Sequence, residues 1–198
     1  MRKIFLLIHL NFLLMAQPLM IYIPAPETKQ LTNSELSSEN AKILTELQER
    51  GLKISKLTDF NAHATPREMI CRGWFPIVAP NAETFGTLIT NTLKNELSKS
   101  KILYYQEGSK LSVEKIDIDF NTMGQSNWTY NMTLSNGKKT ERFSYTHEFG
   151  YFFAAVSVCQ AVKENFPIGL ERFLHSIYED PRFAGMIDSN QDINTTVQ

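Results

Sequence analysis

From Trp128 to Ser135 large apolar residues alternate strictly with small polar ones. Trp128, Tyr130, Met132 and Leu134 are set against Thr129, Asn131, Thr133 and Ser135. A period of two predicts a strand with its bulky side chains on one face. Asn136-Gly137 follows and predicts a two-residue type I′ hairpin, a turn that needs positive φ at both central positions. That loop predicts a register: Leu134 opposite Lys139, Met132 opposite Glu141, Tyr130 opposite Phe143, Trp128 opposite Tyr145 and Ser126 opposite His147. The aromatic residues then meet across the ladder, where such pairs stabilise by a few tenths to about 1 kcal/mol each.

Upstream, Leu111 and Val113 are out of parity with Ile116, Ile118 and Phe120. A β-bulge near Glu114-Lys115 restores both sets to one face. Ile102 to Tyr105 reads as a short strand, Asn121 to Asn127 as a polar loop, and Met69-Ile70-Cys71 as a strand left through Arg72 to Pro76. Helical spacing appears at Phe85, Leu88, Ile89, Leu93 and Leu97, in a segment opened by Pro80 and an Asn81 N-cap. It returns at Phe149, Phe152, Phe153, Val156, Cys159 and Val162, then at Leu170, Phe173, Leu174 and Ile177. Asn165 and Pro167 mark a break or kink between these two runs, and Asp180-Pro181 the stop. The predicted fold is α+β: a two-layer sandwich of a mostly antiparallel, four- to five-stranded sheet with two main helices on one face, in the order strand, helix, strands, helix.

The flanks read differently. Arg2 and Lys3 precede an apolar run from Ile4 to Met15, with Ala16 before three prolines in residues 17–32. That is the pattern of a secretory signal over residues 1–16, with an uncleaved anchor as the rival reading. Residues 17–68 are expected to be a partly ordered linker with one short helix capped by Ser37 or Ser38 and stopped by Gly51. Alternation over 52–68 is weak. Residues 69–187 are the expected compact domain, and 188–198 a polar, disordered tail.

Composition changes this picture little. Apolar residues make up 42% of the 198 and charged residues 21%, enough for a core. The formal charge is −1, or −3 without Arg2 and Lys3, so nothing suggests nucleic acid or an anionic membrane surface as a partner. The two cysteines, Cys71 and Cys159, carry more information. An even count in an exported chain predicts a disulfide, against two buried thiols or a redox pair. A redox pair usually takes the form C-x-x-C, which this is not. No cysteine near the apolar run could take a lipid anchor.

Candidate chemistry is sparse, and no catalytic, metal-binding or phosphate-binding motif stands out. Neither a metal nor any cofactor is expected. His147 could act as a general base near the 121–127 loop, but a rim histidine is the ordinary reading. His175 with Glu171 makes only half a metal site. His63 lies in the weakly patterned stretch. Asp117 and Asp119 share a strand face that solvent would cover. Ser144 and Ser157 lack a nucleophile motif. Asn127, Asn131 and Asn194 match the glycosylation acceptor pattern, which arises easily by chance. Arg72, Trp74 and Phe75 are of the residue types that anchor interfaces, against a reading in which the rings lid the core beside Cys71.

Cys71-Arg72-Gly73, Pro76-Ile77, Thr84-Phe85, Glu96-Leu97, the W-x-Y-x-M-x-L-S-N-G strand, Cys159 and Phe183 together resemble a family of small uncharacterised exported proteins and lipoproteins of proteobacteria, over residues 69–186. The resemblance implies export to a Gram-negative periplasm but carries no activity. The element order is also similar to envelope accessory proteins such as the lipopolysaccharide-transport plug protein and activators of cell-wall synthases. The expected function is a non-enzymatic periplasmic module, without a lipid anchor or an integral membrane domain, that binds an envelope protein or other envelope component. A small hydrolase or inhibitor with a site near His147, and a small-ligand carrier, are the alternatives.

Overall fold

A computed structural model describes residues 36–79, 83–104, 106 and 108–188, which fall within one unit, Leu31–Gln198. The expected signal segment, residues 17–35 of the expected linker, the Asn81 cap and the tail beyond Asp188 lie outside the described residues, whereas residues 36–68 form a helix and a strand rather than a loose linker. The fold is α+β. In chain order it runs α1 (Ser38–Glu49), β1 (Ile54–Asp59), a 3-10 turn (Ala62–Ala64), β2 (Glu68–Cys71), β3 (Phe75–Val78), α2 (Phe85–Lys99), β4 (Ser109–Asn121), β5 (Ser126–Ser135), β6 (Thr140–Gly150), α3 (Ala155–Glu179) and α4 (Pro181–Ile187).

The alternating stretch is the central strand β5, between β4 and β6. Trp128, Tyr130, Met132 and Leu134 are buried, and Thr129, Asn131 and Thr133 are only partly covered. The expected bulge is present: pairing slips between Val113 and Lys115, leaving Glu114 unmatched. That extra residue lets Leu111, Val113 and Ile116 all enter the core.

The hairpin register differs from the expected one by two residues. Leu134 lies opposite Glu141, Met132 opposite Phe143, Tyr130 opposite Tyr145 and Trp128 opposite His147. The reason lies in the loop. Gly137 has φ +84°, but Asn136 does not adopt positive φ, so type I′ cannot form. The loop tip is Gly137-Lys138, with Gly first as a type II′ turn requires, and Asn136 N donates to Lys139 O. Asn136 is held in place by its side chain. Its Oδ1 accepts from Lys138 N at 3.0 Å and Lys139 N at 2.7 Å, and its Nδ2 donates to Met186 O at 2.8 Å. A shift of two keeps every side chain on its expected face.

The four-stranded sheet, in the order β1-β4-β5-β6, is antiparallel between β4 and β5 and between β5 and β6, as expected, but it is mixed, because β1 joins it parallel to β4. The weakly patterned 52–68 stretch thus supplies an edge strand, with Ile54 and Leu57 in the core. The Met69–Cys71 strand does not enter this sheet. It pairs with β3 as a separate two-stranded ribbon. In the 102–105 run, Leu103 makes an isolated bridge to Ile54.

Helix α2 starts at a Thr84 N-cap, whose hydroxyl accepts from Thr87 N, and ends at Lys99. Phe149 belongs to β6, and α3 begins at Ala155. There is no break at Pro167, which lies inside the continuous α3. Proline removes one helical hydrogen bond, and packing compensates around it. Trp128 Nε1 donates to Val162 O and Tyr130 OH to Phe166 O, both at 2.8 Å. Two buried polar tips of β5 thereby find acceptors on the helix above them. Asp180 ends α3 and caps α4, accepting from Arg182 N, with Pro181 at the first helical position.

Helix α1 is tied to α2 and α3 by a buried polar joint. Glu96 accepts from Asn40 Nδ2 at 3.2 Å and Tyr178 OH at 2.8 Å. His175 Nδ1 lies 3.0 Å from Asn40 Oδ1, and its Nε2 lies 3.4 Å from Glu179.

Candidate interaction surface

Cys71, at the end of β2, is bonded to Cys159, one turn inside α3, with 5.8 Å between Cα atoms. The bridge pins the ribbon to the helix. The turn that follows, Arg72-Gly73-Trp74, has positive φ at Arg72 (51°) and Gly73 (76°), and Trp74 N donates to Cys71 O. A non-glycine residue held there is strained. Arg72 is held by its own side chain: its guanidinium donates to Thr122 O and reaches Met123 Sδ at 3.3 Å. That contact draws the β4–β5 loop to the ribbon. The β6–α3 connection arrives at the same end, since Gly150 pairs with Ser126 at the start of β5.

Three connections and the first turn of α3 thus converge, and all present apolar side chains to solvent. Ile70, Trp74, Met123, Tyr151, Phe153 and Val156 are exposed, Trp74 at 86%. The chain's other tryptophan, Trp128, is fully buried. Single exposed apolar residues need no explanation, but a cluster of this kind marks an interaction site. Trp74 is fixed by the turn and bridge, and Val156 by α3.

The three sequence-level binding candidates separate here. Trp74 projects outward. Phe75 is half-buried and packs against the core, as a lid beside Cys71 would. Arg72 positions the surface through its contacts with the 121–125 loop. The sequence alone did not single out Met123, which sits in a polar loop, or Phe153, which falls on an apparent helical stripe. The signal for Phe153 was its place just before α3, where the stripe no longer faces the core.

The other candidates are not brought together into a site. His147 is buried, and its Nε2 lies 3.3 Å from Asn165 Oδ1. Asn165 Nδ2 donates to Ala161 O, so its Oδ1 accepts and His147 Nε2 carries the proton. Burial holds the imidazole below its ordinary pKa, with the Asn165 bond opposing. The partner is an amide, with no acid or nucleophile hydrogen-bonded to the ring among the described residues. Ser126, from the expected pairing, is buried with no partner for its hydroxyl. Asp117 pairs with Lys115 at 2.8 Å on an exposed face, and Asp119 accepts from Phe120 N. His175 belongs to the joint between helices, not to a metal site. No group of three potential ligands occurs among the described residues.

Two surface clefts are lined wholly by described residues. One of about 430 Å³ lies between Asn61–Pro66 and the β4 bulge, and one of about 230 Å³ between α1 and α4. Among the described residues no helix is long and apolar enough to cross a membrane. No family model, curated protein or solved structure matches the chain.

Proposed function

We propose that this chain is an exported, non-enzymatic binding module that docks an envelope protein or other envelope component on the apolar end around Trp74. The observation that carries the reading is the gathering of Ile70, Trp74, Met123, Tyr151, Phe153 and Val156 in solvent at the disulfide-pinned end. Aromatic side chains carried on a fixed backbone bind at low entropic cost, and tryptophan is enriched among interface anchors. The disulfide itself suits an oxidising compartment, in keeping with the basic and apolar N-terminal pattern. The resemblance over residues 69–186 to exported proteins points the same way.

A site-specific photo-cross-linker tests this in cells. Placed at Trp74 it gives a discrete adduct, while the same group at Thr129, on the polar sheet face, gives none. Phe153→Ser in the Trp74-labelled chain abolishes the adduct. Equal labelling from both positions, or no adduct from Trp74, would overturn the proposal.

A further inference from the structure

Strand β6 ends the sheet, so among the described residues one of its edges has no strand beside it. The opposite edge is partly covered, since Ile54 N of β1 donates to Ile102 O and Ile54 bridges Leu103. At 11 residues β6 is also long for an edge. Arg142 O accepts from the Arg182 guanidinium rather than from β5, so the backbone groups of Arg142 face the open side. The antiparallel alternation then turns those of Ser144, Thr146 and Glu148 the same way. A row of outward N–H and C=O groups is a template for another strand.

The side chains along this edge complement themselves. The exposed face of β6 reads Thr140, Arg142, Ser144, Thr146, Glu148. Laid antiparallel on an identical strand about Tyr145, it sets Arg142 opposite Glu148 of a second copy, and Glu148 opposite Arg142 of that copy. Ser144 falls opposite Thr146, and on the inner face Tyr145 meets Tyr145 and Phe143 meets His147. The outward-facing residues are then the ones that form hydrogen-bonded pairs, as the ladder requires. No like charges stand opposite each other.

We propose that this chain dimerises by two-fold antiparallel pairing of β6 with β6 of a second copy, centred on Tyr145, giving one sheet in the order β1-β4-β5-β6-β6-β5-β4-β1. A strand of another protein would meet the same backbone groups but not the twice-repeated Arg142–Glu148 match. The Arg182 guanidinium lies over part of the edge, 3.3 Å from Arg142 O, but its main hold is Asp180 at 2.7 Å. Pairing therefore replaces one exposed bond with a backbone one. Antiparallel pairing places the two Trp74 ends at opposite ends of the joined sheet, and Trp74 itself is not on β6. The dimer therefore does not depend on the docking function.

Sedimentation velocity over a concentration series tests the proposal. The wild type shows a monomer–dimer equilibrium. Arg142→Glu and Glu148→Arg each place like charges opposite at two points and weaken the dimer about tenfold or more. The exchanged pair R142E/E148R regains the wild-type association, and unchanged thermal melts show that the single variants are folded. Trp74→Ala dimerises normally. A wild type that stays monomeric, an R142E that associates as the wild type does, or an exchanged pair that stays apart overturns it.

Discussion

Glu96 shows how one buried charge shapes the behaviour of the chain. It is 3% exposed, and burial pushes its carboxyl pKa up, against the lowering effect of the Tyr178 and Asn40 hydrogen bonds. The unfolded chain ionises near 4.5 and the folded chain only at higher pH. The folded state therefore holds an extra proton in that window, and stability falls as pH rises from about 4.5 through the folded value. Glu96→Gln keeps an oxygen for Tyr178 and Asn40, so thermal melts of that variant lose this pH-dependent fall. Glu96→Ala strands two buried donors and costs about 2–4 kcal/mol at neutral pH. Sequence periodicity could not show this. Glu96 reads as an ordinary polar helix position until α1 is placed against it.

At the scale of elements, the fold depends on close contact between α3 and β5. Gly169 lies where a Cβ would sit 2.5 Å from Tyr130 OH and 2.9 Å from its ring. Tyr130 has no room to yield, since it donates to Phe166 O and stacks on Phe173 at 5.5 Å. Gly169→Ala therefore destabilises by about 2–3 kcal/mol, through overpacking. Combined with Tyr130→Phe the two costs are less than additive, because the hydroxyl that the Cβ meets has gone. Denaturant melts of the two single variants and the double variant measure the coupling. Helix α3 runs unbroken through Pro167, and on either side of it the carbonyls of Val162 and Phe166 accept from Trp128 and Tyr130 of β5. The hairpin makes the same point, since a hydrogen bond from Asn136 to Met186 O accompanies a turn one residue later than the Asn-Gly pattern predicts.

Across the whole molecule the disulfide joins the ribbon to the rest. The β2–β3 pair lies outside the main sheet and is held by Cys71–Cys159, the Arg72 contacts and packing on α3. In the chain-entropy account a bridge closing so long a loop contributes roughly 4 kcal/mol. Reduction, or the Cys71→Ala/Cys159→Ala pair, should lower stability by up to that amount. It should also expose the ribbon to trypsin at Arg67 and Arg72 before the sheet is cut. Limited proteolysis with and without reductant checks this. Cleavage that begins elsewhere would mean that the apolar end keeps its shape without the bridge.

The sequence by itself determined what backbone geometry dictates locally. The period of two assigned the core face of β5, and the parity flip located the bulge at Glu114. These survive any repacking because they follow from the pleat. Only the tertiary structure decided the hairpin register, the passage of α3 through Pro167 and the parallel entry of β1. It alone gathered Met123, Tyr151 and Phe153 around Trp74. Each of these rests on contacts between residues far apart in the chain, where the gain depends on which partner surface is present and not on any local pattern.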